Sequence, residues 1–191
     1  GHTDLVMLDK NFQFELIGRT RDDAAGEAFD KAARLMGLGF PGGPEVDKKA
    51  MLSDESYKFP RAYMKDTHDF SFSGMKTAFL NLSNSESPLV DEKISKLSNT
   101  FQEAIVDVLT KKTIDASVKF NCKGIVLTGG VAANSWLREE MVRKSNLPVY
   151  IPEKKLCTDN GAMVASFVVE NSKFNLLNKE DNLDVYSVLN Y

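Results

Sequence analysis

"GIVLTGGVAANSWLREEMVRK", residues 124–144, passes from an apolar run through two glycines into a stretch of helix formers. Gly124 to Thr128 reads as a strand and Ser135 to about Lys144 as a helix, so the segment is a strand–turn–helix unit. Just downstream, "PVYIP" at 148–152 reads as a second short strand. Strands that alternate with helices in this way place the chain in the α/β class. At the turn, Gly129 and Gly130 let a ligand approach the main chain closely, and the N–H groups of a helix start favour negative charge. Asn134 adds a donor and an acceptor at the same point. An anion or nucleotide site therefore competes with a plainer alternative, a tight turn whose helix is capped by Asn134 or Ser135. The spacing matches neither the Walker loop nor the GxGxxG fingerprint.

Working outward, residues 3 to 20 read as two strands. Leu5–Leu8 forms the first, and Phe12, Phe14 and Leu16 alternate with polar neighbours in the second. A chain that opens inside a sheet suggests a fragment or a trimmed chain, with Gly1-His2 alternatively a tag remnant. Asp22 or Asp23 is expected to cap the next helix, whose apolar stripe is Ala25, Ala28, Phe29, Ala32 and Met36. Gly37, Gly39 and "FPGGP" end it. Residues 44–90 show weak periodicity and read as irregular with short helices, one of them starting near Gly74. From Asp91 to Phe120, Ile94, Leu97, Phe101, Ile105, Leu109 and Ile114 recur at helical spacing, predicting one long helix or two in succession. Thr158 or Asp159 is expected to cap a last helix through Met163, Phe167 and Val168. The tail beyond Asn171 is assigned no structure.

The 191 residues are 42% hydrophobic and 27% charged, which suits one compact domain or a lobe of something larger. A net charge of −3 gives no overall basic field for non-specific nucleic-acid binding. Lys111, Lys112, Lys119 and Lys123 form a thin local candidate, for which a solvated helix face is the plainer reading. The apolar runs are too short to span a bilayer. Two cysteines, Cys122 and Cys157, fit a reducing compartment and show no metal-ligand spacing. His2 and His68 are the only histidines, so a histidine-rich metal site cannot be assembled from the chain. Asp30 could accept bonds from a ligand's hydroxyls or pair with Arg34 one helical turn on. Asp159 could be a metal ligand or a helix cap.

Five stretches carry a resemblance: "GHTDLV" (1–6), "DDAAGEAFDKAARLMGLGFPGGP" (22–44), "DFSFSGMKTA" (69–78), "GGVAANSWLR" (129–138) and "CTDNGAMVA" (157–165). In this order they resemble the tRNA N6-adenosine threonylcarbamoyltransferases of the TsaD type, once described as glycoproteases. The resemblance implies an actin-like, Hsp70-like ATPase (ASKHA) fold. Residues 1–156 would belong mainly to the second lobe, with a helical insertion at about 44–120. Residues 157–191 would be a helix and tail packing toward the first lobe. It implies transfer of a threonylcarbamoyl group from threonylcarbamoyl-adenylate to N6 of adenosine 37 in tRNAs reading ANN codons. Gly1 would end the loop that holds the adenylate or another adenine nucleotide. Asp30 and Gly43 would contact the nucleoside, Asn134 would bind it from the other side, and Gly129 and Gly130 would make room for it. Asp159 would be the carboxylate ligand of one divalent metal, iron by resemblance, with zinc or magnesium as alternatives.

Implied partners are tRNA, a related TsaB-type subunit and a small TsaE-type ATPase. The implied location is the cytoplasm, or a mitochondrion or plastid for an organellar form. The family's HxxxH pair, which supplies two histidine ligands from the first lobe, is absent, so the resemblance implies a carboxy-terminal portion without activity of its own. Other readings are a non-catalytic paralogue that scaffolds a partner, a metalloprotease, and a sugar kinase or chaperone ATPase. The metalloprotease lacks HExxH. Asp30, Asn134 and Asp159 argue against degeneracy, and "DDAAGEAFD" and "CTDN" against the kinase.

Overall fold

The alternation in "DLVML" and "FELIGR" produces an antiparallel hairpin, β1 (Asp4–Leu8) and β2 (Phe14–Arg19), running in register from Asp4 opposite Arg19 to Leu8 opposite Phe14 with one irregularity after Leu5. The computed structural model describes residues 1–10 and 13–173. The expected place of Phe12 in the second strand, and the tail beyond 173, lie outside those residues.

Helix α1 (Ala25–Leu35) buries Ala25, Ala28, Phe29, Ala32 and Ala33, and Met36 just past its end is buried with them. The expected caps Asp22 and Asp23 do not serve it. One N–H of its first turn is satisfied from the residue before β1, where Thr3 Oγ1 accepts the Ala25 N–H at 2.9 Å. Asp23 instead pairs with Lys31. Asp22 reaches across the fold to the start of α3 (Ser73–Ser85), where it accepts the Phe72 N–H at 2.7 Å and the Ser73 N–H at 3.2 Å. The hydroxyls of Ser71 and Ser73 donate to its other oxygen.

"FPGGP" does stop α1, but it also opens α2 (Gly42–Ala50), where the weak periodicity of residues 44–90 predicts irregular structure. Pro44 lacks an N–H only where a first-turn N–H would have no helical acceptor. Gly42 is a packing requirement: a Cβ there would lie 2.6 Å from Ala33 Cβ and 2.7 Å from Asp30 Cα. Asp91 to Lys119 is one helix, α4, and its apolar residues meet α1 and α3 in the core. Phe101 sits at the centre, with ring centroids 5.8 Å from Phe29 and 4.9 Å from Phe79, both edge-on, the arrangement that aromatic quadrupoles favour.

The opening stretch folds as β3 (Ile125–Val126), a 3-10 turn at Gly130–Ala133 and α5 (Ser135–Lys144), which leads to β4 (Val149–Tyr150) lying parallel to β3. A parallel pair needs such a crossover, and α5 supplies it. The final described helix, α6 (Gly161–Lys173), is capped by neither Thr158 nor Asp159: Asn160 Oδ1 accepts the Met163 N–H at 3.0 Å. The α/β class therefore holds, as two two-stranded sheets among six α-helices in the described residues. No described helix is long and apolar enough to cross a membrane.

Candidate functional site around the amino termini of α1, α2 and α5

Each helix amino terminus exposes N–H groups without helical acceptors, and the first turns of α1, α2 and α5 each lie against a neighbouring element: Gly26 against Val131, Gly42 against Asp30 and Ala33, and Ser135 against Asp47. At α2, Asp30 Oδ1 accepts the Gly42 N–H at 2.7 Å. This bond replaces the Arg34 ion pair offered as the alternative, which is not formed among the described residues. At α5, Asn134 Oδ1 accepts the Leu137 N–H at 2.9 Å, so the cap expected from Asn134 is present. Its amide nitrogen donates to Gln102 Oε1 of α4 at 2.6 Å, and the residue is 8% exposed. Beside it, the buried carboxylate of Asp47 accepts the Ser135 hydroxyl at 2.9 Å and the Ser135 N–H at 3.2 Å. Lys154 Nζ reaches Ser135 Oγ at 2.6 Å from the segment that follows β4.

These bonds link most of the candidate residues into one chain of contacts. Gly1 stands against Ala24 at the head of α1, where a Cβ on it would lie 3.3 Å from Ala24 Cβ. Gly26 faces Val131 of the 3-10 turn, where a Cβ would meet its Cγ2 at 3.4 Å. Asp30 then holds α2, and α2 holds α5 through Asp47. Gly129 has φ 88°, a left-handed conformation that glycine adopts without strain. Side chains added at Gly43, Gly129 or Gly130 would meet nothing within 4 Å. The main chain at these three positions is bare and faces open space, as close approach by a ligand requires.

Asp159 is not joined to this chain of contacts. It is exposed, two residues beyond the buried Cys157, whose segment α5 holds through Arg138 bonded to Pro152 O at 2.9 Å. Among the described residues no group of three or more His, Cys, Asp or Glu could hold a metal ion. The residues present therefore do not by themselves fit the metal that the resemblance implies, and they offer one carboxylate toward it.

Sequence reasoning missed Asp47, Gln102 and Thr3. Asp47 lay in a segment read as irregular, and Gln102 sits beside Phe101 on a helix whose pattern reports only burial. Asp47, Gln102, Ser135 and Trp136 also line a cavity of about 440 Å³, together with Glu103 and Glu139. Its walls carry several carboxylates, so it does not suit an anionic ligand.

The fold is shared with two crystal structures: a full-length HypF in a phosphate- and nucleotide-bound form, with TM-score 0.61 and 19% identity over 80% of this chain and 21% of that one, and T. kodakarensis HypF, with TM-score 0.60 and 18% identity over 90% and 22%. A threonylcarbamoyltransferase of Dehalococcoides mccartyi is 51% identical over 87% of this chain and 50% of its own length. Those of Caldicellulosiruptor saccharolyticus and Staphylococcus aureus are 47% and 40% identical, over 87% and 97% of this chain and 51% and 57% of theirs. The chain thus spans about half the length of the curated relatives it matches. The family model for tRNA N6-adenosine threonylcarbamoyltransferase matches residues 1–166, and the chain belongs to that family.

Proposed function

We propose that this chain is part of an enzyme that transfers a threonylcarbamoyl group from threonylcarbamoyl-adenylate to N6 of adenosine 37 in tRNA. The family match over residues 1–166 carries the reading. In the reaction, the adenine amine attacks the carbonyl carbon of the mixed anhydride. The new C–N bond forms, the anhydride C–O bond breaks, AMP leaves with the electron pair, and N6 loses a proton. Because the acyl group arrives activated, the protein's task is to position the two substrates and to steady the departing phosphate.

The α1–α2–α5 corner suits that task. Bare main chain at Gly43, Gly129 and Gly130 would admit the adenylate, with Gly1 beside Ala24 at its edge. Asp30 spends one oxygen on Gly42 and keeps the other for ribose hydroxyls. Asn134 keeps one amide hydrogen beyond its bond to Gln102. Asp159 would lend one carboxylate to a divalent metal whose remaining ligands come from outside this chain. Residues 1–156 would form most of the second lobe of an actin-like fold. The exposed apolar residues Met163, Val164, Phe167 and Val168 of α6 would then pack toward the other lobe. A TsaB-type subunit and a TsaE-type ATPase would be its partners.

The test is mass spectrometry of nucleosides from unmodified tRNA, incubated with threonylcarbamoyl-adenylate and the chain extended to the full length of its relatives. Threonylcarbamoyladenosine should form and should be lost on Asp159→Ala. No product from the extended protein, with its partner subunits supplied, would sink the reading and favour a scaffold.

A further inference from the structure

Three of the four lysines flagged on α4 and its exit, Lys111, Lys112 and Lys119, line one cavity of about 470 Å³ between α4 and the loop at 63–68. A solvated helix face would leave all of them exposed, yet Lys112 is 5% exposed. Its ammonium donates to the carbonyls of Met64 at 3.1 Å and Thr67 at 2.8 Å. These partners are dipoles, not charges. No carboxylate pairs with Lys112 among the described residues, and one of its three hydrogens is left over. Burial holds the Lys112 pKa below its ordinary value against the more distant pull of Asp69 and Asp115, and an anion in the adjoining space would relieve that cost of burying the cation.

The rest of the lining is mixed in charge, with the cations in excess. His68, on the same wall, has its pKa held down first by burial and then by Lys119 and Lys112, against the opposing pull of Asp115 and Asp69. Of the two lining carboxylates, Asp115 is already paired with Lys111 at 2.9 Å, and Asp66 is exposed. Lys119 is exposed at the rim, over the Phe120 ring at 5.4 Å and in no ion pair among the described residues. Tyr63, also in the lining, is 43% exposed. Cations beside an accessible aromatic ring are what a nucleic-acid strand uses, the cations taking phosphate and the ring a base. Lys112 follows Gln102 by ten residues on α4, about 15 Å along the axis at the usual helical rise. A strand of a few nucleotides is long enough to cover that axial distance.

We propose that this cavity is a phosphate site that seats a backbone phosphate of RNA, with Lys112 as the buried cation, Lys119 as the rim cation and Tyr63 as the stacking surface. The RNA occupant rests on the activity proposed above, whereas the phosphate chemistry does not. Two measurements test it on the chain and on Lys119→Ala, a surface change that spares the loop staple made by Lys112. One follows the His68 ring resonances during titration with inorganic phosphate. The other follows binding of unmodified tRNA as a function of salt. Phosphate should shift His68, and Lys119→Ala should weaken that response several-fold. The same substitution should lower the slope of log K against log salt by about one. Tyr63→Leu should weaken tRNA binding several-fold without changing the slope. A phosphate response with an unchanged tRNA slope would overturn the RNA occupant in favour of a free phosphate compound. Neither response would overturn the site. Both readouts need no transfer step, so loss of the proposed activity would leave them standing.

Discussion

Helices α5 and α6 begin with the same local chemistry and end in opposite surroundings. In each, an asparagine side-chain oxygen accepts the N–H three residues on, Asn134 from Leu137 and Asn160 from Met163. Around Asn134 the rest of the molecule closes in: Gln102 takes its amide, Asp47 fixes the next residue, and Leu137 and Met141 join the core. Around Asn160 little closes in, and α6 shows solvent a face of Met163, Val164, Phe167 and Val168. A cap is thus a local device of similar form everywhere, while its energetic weight is set by what is buried with it.

Substitutions can break or sharpen this contrast. The largest effect is expected where the buried corner cannot yield. Gly42→Ala drives a methyl into Ala33 and the Asp30 backbone and should cost about 3 kcal/mol, read as a lower urea midpoint at unchanged slope. Asn134→Ala should cost about 2–3 kcal/mol, one part for the cap and the rest for the stranded Gln102 amide. Adding Gln102→Leu should recover part of the loss, and a strictly additive double mutant would show that the two side chains do not act together.

The α3 cap gives a pH-dependent case. Burial acts to raise the Asp22 pKa, but bonds from Ser71, Phe72 and Ser73 outweigh it and hold the value below 3.8. Its stabilisation is therefore present above the unfolded value and lost as pH falls through the lower folded one. Asp22→Asn should cost about 1 kcal/mol at neutral pH and should flatten that acid limb of the stability curve. Asn160→Ala should cost at most about 1 kcal/mol, and a loss equal to that of Asn134→Ala would erase the contrast. Asp159→Ala should change stability by less than about 0.5 kcal/mol, so any loss of transferase activity in the extended protein would report function alone.

The elements that depend on periodicity were legible: α1, α4 and α5 fall where their apolar spacing put them, because each buries a stripe of its own residues. Features that depend on distant partners were not. Nothing in "RDDAAGEAF" says that Asp22 serves a helix some 50 residues away while Thr3 serves the nearest one. Helix α2 was hidden because Gly-Gly-Pro reads as a breaker, and only the acceptor on Asp30 and the close approach to Ala33 reveal it as a start. Of the candidate site, Gly129, Gly130 and Asn134 stand out from the local pattern. Gly1 and Gly43 gained meaning from the family resemblance, and Asp47 and Gln102 from the fold alone.

The long-range cap on α3 has a consequence for how the molecule opens. Its first N–H groups find their acceptor only after a loop of some 50 residues has closed, so α3 cannot be completed from its own sequence. Whatever loosens the connection between the hairpin and α1 also uncaps α3. The amide protons of Phe72 and Ser73 should then exchange with solvent on the schedule of residues 20–25 and not on that of α3's interior, making two stretches far apart in the chain one cooperative unit.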